Sequence, residues 1–278
     1  MSTGPGLSAV LALPGVAGAT ERAREACTAL RWHPALRRRI PEGAAESRVR
    51  GARASAALEG AEVDVDVVRQ LLLGTTAWPA DPDPVEQTLH AAVRVTAESE
   101  PAGRLLGRAP SQALARLHLA CAGLVEDDQL GRPRQGQEEA RELTDLGPAP
   151  SAPGAVQRLH GIRKLVLADD SAPALVVASL VHAEIAAARP FVRGNGLVAR
   201  AVERVLVQVR GLDPTGVAVP EAGHLREGAA GYLGALTAYA SGTPEGVALW
   251  LVHCGDAMVA AAAEGQRIAD AVLAGRVH

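Results

Sequence analysis

Aromatic residues are nearly absent. Phe, Trp and Tyr together make up 2% of the 278 residues, against 48% hydrophobic overall. A core without large rings has to be packed from Ala, Val and Leu, and Ala and Leu are strong helix formers, so a mostly helical chain is expected. Lysine is also scarce: Lys164 is the only one. The many arginines therefore read as a compositional bias, and most of them as ordinary surface charges. The formal net charge of −3 supplies no electrostatic footprint for nucleic acid. Cys27, Cys121 and Cys254 lie far apart, with no CxxC or His/Cys ligand spacing, which excludes a disulfide framework or a zinc site of the usual pattern. Free thiols fit a reducing, cytoplasmic setting. No apolar run reaches the roughly 20 residues of a membrane span without a charge or a turn residue. The apolar stretch 7–16 is broken by Pro14 and follows no basic residue, so neither a membrane nor a secretory signal is expected.

What is present centres on residues 189–200, Arg-Pro-Phe-Val-Arg-Gly-Asn-Gly-Leu-Val-Ala-Arg. Apolar runs at 173–188 and 197–209 flank it, both too long for strands, and are read as buried helices. Pro190 disfavours helical backbone at Arg189 and ends the first helix there. Gly194 and Gly196 bracket Asn195, and all three tolerate positive φ. A Gly-rich turn that opens a helix aims backbone N–H groups, with the positive end of the helix dipole behind them, at one point. Arg193 and Arg200 add full charges. From the residues alone this is an anion site, with a phosphate as the natural occupant.

Elsewhere, residues 1–20 read as an irregular lead-in and 21–30 as a helix. Trp32 is expected as a core or docking aromatic, and 35–40 as a short helix stopped by Pro41. Residues 46–58 have helix-forming composition, with Gly60 placed as a C-terminal cap. Ser55 and Glu59 are four apart and share a face. Further helices are expected at 63–73, 85–97, 111–125 and 156–167, with Asp81 and Asp83 as solvated or capping acids in a Pro-rich linker. Asp169, Asp170 and Ser171 are cap candidates for the helix after Pro173. His118 and His182 read as core histidines. Residues 135–146 alternate poorly and hold almost no β-branched residues, so they make a poor strand. A connector is expected at 211–223 and a last packing or pairing helix at 256–277.

The stretch 189–200 resembles the signature of the Fic (Fido) family of protein AMP-transferases, His-Pro-Phe-x-Asp/Glu-Gly-Asn-Gly-Arg-x-x-Arg. Pro190, Phe191, Gly194, Asn195, Gly196 and Arg200 match. Arg189 stands at the base position, Arg193 at the acidic position and Leu197 at that of the first Arg. Ser55-Ala56-Ala57-Leu58-Glu59-Gly60 resembles the family's inhibitory-helix motif, in which the Glu pairs with the last signature Arg. The resemblance spans about residues 40–262, and within it 232–239 and 246–250 match the helices that close the family's core. It implies an all-α, Fic-like helical bundle with a central helix–loop–helix carrying the signature loop, its β flap reduced or absent. It further implies an N-terminal helical region, 1–100, containing the inhibitory-type helix at about 46–60, and a core of 101–278.

The departures decide the expected chemistry. A guanidinium stays protonated and offers no lone pair, so Arg189 is no general base and no catalytic residue is expected. Arg193 cannot ligate Mg²⁺, which wants oxygen ligands, and no metal is expected. Losing a general base alone typically costs about 10²–10⁴-fold in rate. The leading expectation is a degenerate, inactive Fic-like protein whose Phe191, Arg193, Gly194, Asn195, Gly196 and Arg200 bind ATP or another phosphate-containing ligand without Mg²⁺, with Ser55 and Glu59 inhibitory. The alternatives are an active transferase of AMP or another phosphate-containing group, with His182, His160 or Glu59 as substitute base, and a toxin–antitoxin-like interaction module. A protein partner or a second copy of the chain completes the expected partners.

Overall fold

The computed structural model describes residues 5–142, 146–168 and 172–276. In chain order the helices are α1 (Pro5–Leu11), α2 (Val16–Arg31), α3 (Ile40–Leu58), α4 (Val65–Leu73), α5 (Pro84–Leu106), α6 (Pro110–Leu119), α7 (Ala152–Val166), α8 (Ala174–Ala188), α9 (Asn195–Val209), α10 (Pro220–Leu225), α11 (Gly228–Ala240) and α12 (Pro244–Leu273). No strand occurs among the described residues, and the poor strand pattern of 135–142 is extended coil and turn.

Local chemistry sets many of the helix ends. Asp83 caps α5 in a full capping box with Glu86, and Pro84 occupies the first turn, where its missing N–H costs nothing. Asp64, Ser151 and Thr243 accept N–H groups at the starts of α4, α7 and α12. Gly60 takes positive φ just past the end of α3. The cap candidates Asp169, Asp170 and Ser171 lie outside the described residues.

Several expectations change. Pro41 begins α3 rather than stopping a helix, because its fixed φ suits a first turn. Residues 34–37 form a 3₁₀ turn instead. The lead-in contains α1 and the start of α2. Trp32 is 74% exposed and is therefore not a core aromatic. The connector at 211–223 holds most of α10, and the last two expected helices are one continuous α12.

Helices α8 and α9 form the centre. Every residue of α8 except Ala174 and Glu184 is buried, as is nearly all of α9. Small side chains let neighbouring backbones approach closely. Trp250 is a rare large ring in the core and donates its indole N–H to the Ser179 carbonyl at 2.8 Å. The buried apolar residues form one cluster running through both 1–100 and 101–278. By length and composition α12 passes for a membrane-spanning helix, which the sequence reading did not expect. More than half of its apolar window is covered, chiefly by α2, α10 and α11.

Charge is buried as well. Arg204 on α9 makes a two-pronged pair with Glu221 on α10, at 2.8 and 2.7 Å, and also donates to the Ser47 hydroxyl and carbonyl on α3. Both side chains are essentially sealed from solvent. Removing one partner strands the other charge, which costs about 3–5 kcal/mol, whereas replacing both with apolar residues can be near neutral. Denaturant melts should therefore show Arg204→Met destabilised by about that amount and Arg204→Met/Glu221→Leu largely recovered; equal losses in the two would refute this account of the pair.

Candidate anion-binding site

Arg189 ends α8 in left-handed backbone, φ 44°, the only non-glycine residue described with positive φ. Its guanidinium donates to the Gly147 carbonyl at 2.8 Å, while its own carbonyl accepts from Arg134 Nε at 2.8 Å. The side chain at the base position is thus a strut for the 134–150 region.

The loop after it is cast from several sides. The Asn195 side chain accepts the Phe191 N–H and donates to the Phe191 carbonyl, both at 2.9 Å. The Phe191 ring is buried and stacks on His118, centroids 4.0 Å apart; Phe191 therefore supports the loop from the core. His118 accepts the Gly131 N–H on Nδ1 and donates from Nε2 to the Arg193 carbonyl. Gly194 has φ +87°, and a Cβ there would lie 2.9 Å from Cys121 Sγ. No larger residue fits.

At the first turn of α9 the backbone N–H groups of Gly194 and Asn195 converge. They point at a carboxylate of the same chain. Glu142 Oε1 accepts the Asn195 N–H at 2.9 Å and also the Asn195 side-chain amide, and Oε2 accepts the Gly194 N–H at 3.4 Å. Burial, with the charge of Glu59 behind it, raises the Glu142 pKa against the pull of these hydrogen bonds.

The second half of the site is Arg200, one turn into α9 and 1% exposed. It donates to the Ser55 hydroxyl at 2.8 Å, the Ser55 carbonyl at 3.2 Å, Glu59 Oε1 at 2.7 Å and the Tyr232 hydroxyl at 3.3 Å. Burial works against the guanidinium, but Tyr232 and Glu59 beside it hold its pKa above the ordinary arginine value. A Cβ on Gly196 would come 2.3 Å from Glu59 Oε1, so glycine there gives Glu59 its path to Arg200. Between Glu59, Glu142, Asn195, Gly196, Arg200 and Tyr232 only about 10 Å³ of cavity remains, room for one water at most. Arg193 is half-buried, and its guanidinium makes no hydrogen bond or ion pair among the described residues.

Behind Arg200 runs a buried relay. An arginine only donates, so the Tyr232 proton goes to His182 Nε2 at 2.7 Å, leaving His182 Nδ1–H for Glu203 Oε2 at 2.6 Å. His224 meets the same oxygen at 2.7 Å and touches His253 at 3.2 Å. Burial opposes the Glu203 charge, but His224 and His182 hold its pKa well below the carboxylate range. Of the residues named as substitute bases, His182 is enclosed in this relay, His160 is exposed on α7, and Glu59 is paired to Arg200.

Solved structures with this architecture are readily found. A Fic family protein from Desulfovibrio desulfuricans matches with a TM-score of 0.64 at 19% identity, covering 91% of this chain and 74% of that one. A Fic domain containing signaling protein from Bacteroides thetaiotaomicron matches at 0.66 with 12% identity, over 91% and 97%. The chain has the Fic fold. Residues 134–508 of Fic-1 from C. elegans match at 0.61 with 17% identity, over 94% and 75%. No sequence-family model matches, and no curated protein is detectably similar in sequence. Within the Fic fold, the predicted residues Gly194, Asn195, Gly196, Arg200, Ser55 and Glu59 lie together. Glu142, Tyr232 and Glu203 were not singled out from sequence. Glu142 stands among other acids with nothing in its spacing to mark it.

Burial pushes the pKa values of His118, His182 and His253 down to about 4, whereas an unfolded histidine titrates near 6.5. Between about 4 and 6.5 the unfolded chain binds more protons, so stability is complete above that window and declines as pH falls through it. Thermal melts from pH 7 to 4.5 should show a steadily falling midpoint; a flat profile would contradict the neutral, buried histidines.

Proposed function

We propose that this Fic-fold chain is a binding or regulatory protein for a phosphate-type anion, such as the phosphates of a nucleotide, and does not carry out His-dependent AMP transfer. The observation that carries the reading is the convergence of the Gly194 and Asn195 N–H groups, the Asn195 amide and, one turn on, Arg200. Preorganised donors at a helix start suit an oxyanion. The side chain at the base position supports the negative half of the proposal. Arg189 has no lone pair and is spent on the Gly147 carbonyl. Arg193, where an acid would hold Mg²⁺, repels a cation and adds to the positive field around the loop.

Calorimetry with ATP, with and without Mg²⁺, tests this. The expected result is weak binding that needs no Mg²⁺ and disappears in Asn195→Ala. Binding that requires Mg²⁺, or transfer of label from nucleotide to protein by the wild type but not by Asn195→Ala, would overturn it. The same assay on Arg189→His/Arg193→Asp measures what the two arginines have removed.

A further inference from the structure

The anion in the cradle is supplied by the chain itself. Glu142 holds its two oxygens against successive N–H donors at the start of α9, as an external oxyanion would. It arrives there on a segment laid along the loop edge. The backbone N–H groups of Arg134 and Arg141 donate to the carbonyls of Pro190 and Val192 at 2.7 and 2.6 Å. The Arg134 guanidinium ties together the carbonyls of Arg189, Glu138 and Pro150. Apart from Arg134, residues 132–141 are half-buried or exposed, with little apolar surface holding them down.

The occupant also sits uncomfortably. Glu142 and Glu59 line the same cavity of about 10 Å³, two like-charged groups in a space nearly free of water. Glu59 is neutralised by Arg200 at 2.7 Å, whereas Glu142 has hydrogen bonds but no ion pair among the described residues. Hydrogen bonds alone hold Glu142 in place, and a phosphate, with more strong acceptor oxygens than a carboxylate, can take over the same donors.

We infer that Glu142 is an internal competitor for the cradle: an incoming phosphate or diphosphate group displaces its carboxylate, and with it the hold of residues 134–142 on the loop. The inference rests on the anion-binding reading above and adds a division of labour. Glu142 guards the backbone donors and Glu59 guards Arg200. A single phosphate therefore has to displace only Glu142, whereas a diphosphate has to displace both.

The test is calorimetry on the full chain with orthophosphate and pyrophosphate as probes, comparing wild type, Glu142→Ala, Glu142→Gln and Asn195→Ala. Glu142→Gln keeps the side chain's size, which guards against a collapse of the segment, and thermal melts check folding. Both Glu142 variants are expected to bind orthophosphate at least tenfold more tightly than wild type, because the apparent affinity of the wild type is reduced by the fraction of molecules whose cradle is open. Glu59→Gln is expected to improve pyrophosphate much more than orthophosphate. In the wild type, saturating pyrophosphate should speed amide exchange at Arg134 and Arg141. Equal affinities in wild type and both Glu142 variants, with binding still abolished in Asn195→Ala, would overturn the competitor and leave the anion-binding reading standing. Absence of binding in all five proteins would overturn both.

Discussion

Buried N–H donors at the start of α9 constrain everything around them. Backbone N–H groups held away from water have to be hydrogen-bonded, and here two of them point the same way with a helix dipole behind. Left empty, the cradle would cost stability. The chain meets that demand with Glu142 and neutralises the neighbouring Arg200 with Glu59. The loop, α3 and the 134–142 segment are thereby locked together by electrostatics rather than by apolar area, which suits a core built almost without aromatic rings.

The same logic extends inward. Arg200 is held from below by Tyr232, Tyr232 by His182, and His182 by Glu203, which His224 also contacts. Each donor finds an acceptor, so the network stiffens the floor of the site. Arg204 and Glu221 repeat the device one turn further along α9. A helix that carries Arg200, Glu203 and Arg204 on faces sealed from solvent is fixed in rotation and register, and that fixes where the cradle points.

Much of this was legible in the sequence. Helices α8 and α9 announce themselves as apolar runs, Pro190 and the glycines mark the turn, and the spacing of Ser55 and Glu59 places both on one face, which the family resemblance directs at Arg200. Three kinds of information were not legible. Pro41 ends or begins a helix with equal ease on paper, and only the packing of α3 decides. Trp32 looks like a core residue because nothing in its neighbours says otherwise. Glu142 lies in a run of acids with no periodicity, and its role depends on Arg134 and Arg141 bonding to the Pro190 and Val192 carbonyls. The role of Arg189 is the reverse case. Its chemistry could be read as the absence of a base, but its bond to the Gly147 carbonyl is a tertiary fact that no local pattern encodes.

The most direct test of the central claim is a crystal structure of the wild-type chain grown with pyrophosphate. The account predicts an anion over the N–H groups of Gly194 and Asn195, near Arg200, with the Glu142 carboxylate moved out of the cradle. A structure with Glu142 still on Asn195 and the pyrophosphate bound elsewhere, or not at all, would contradict it.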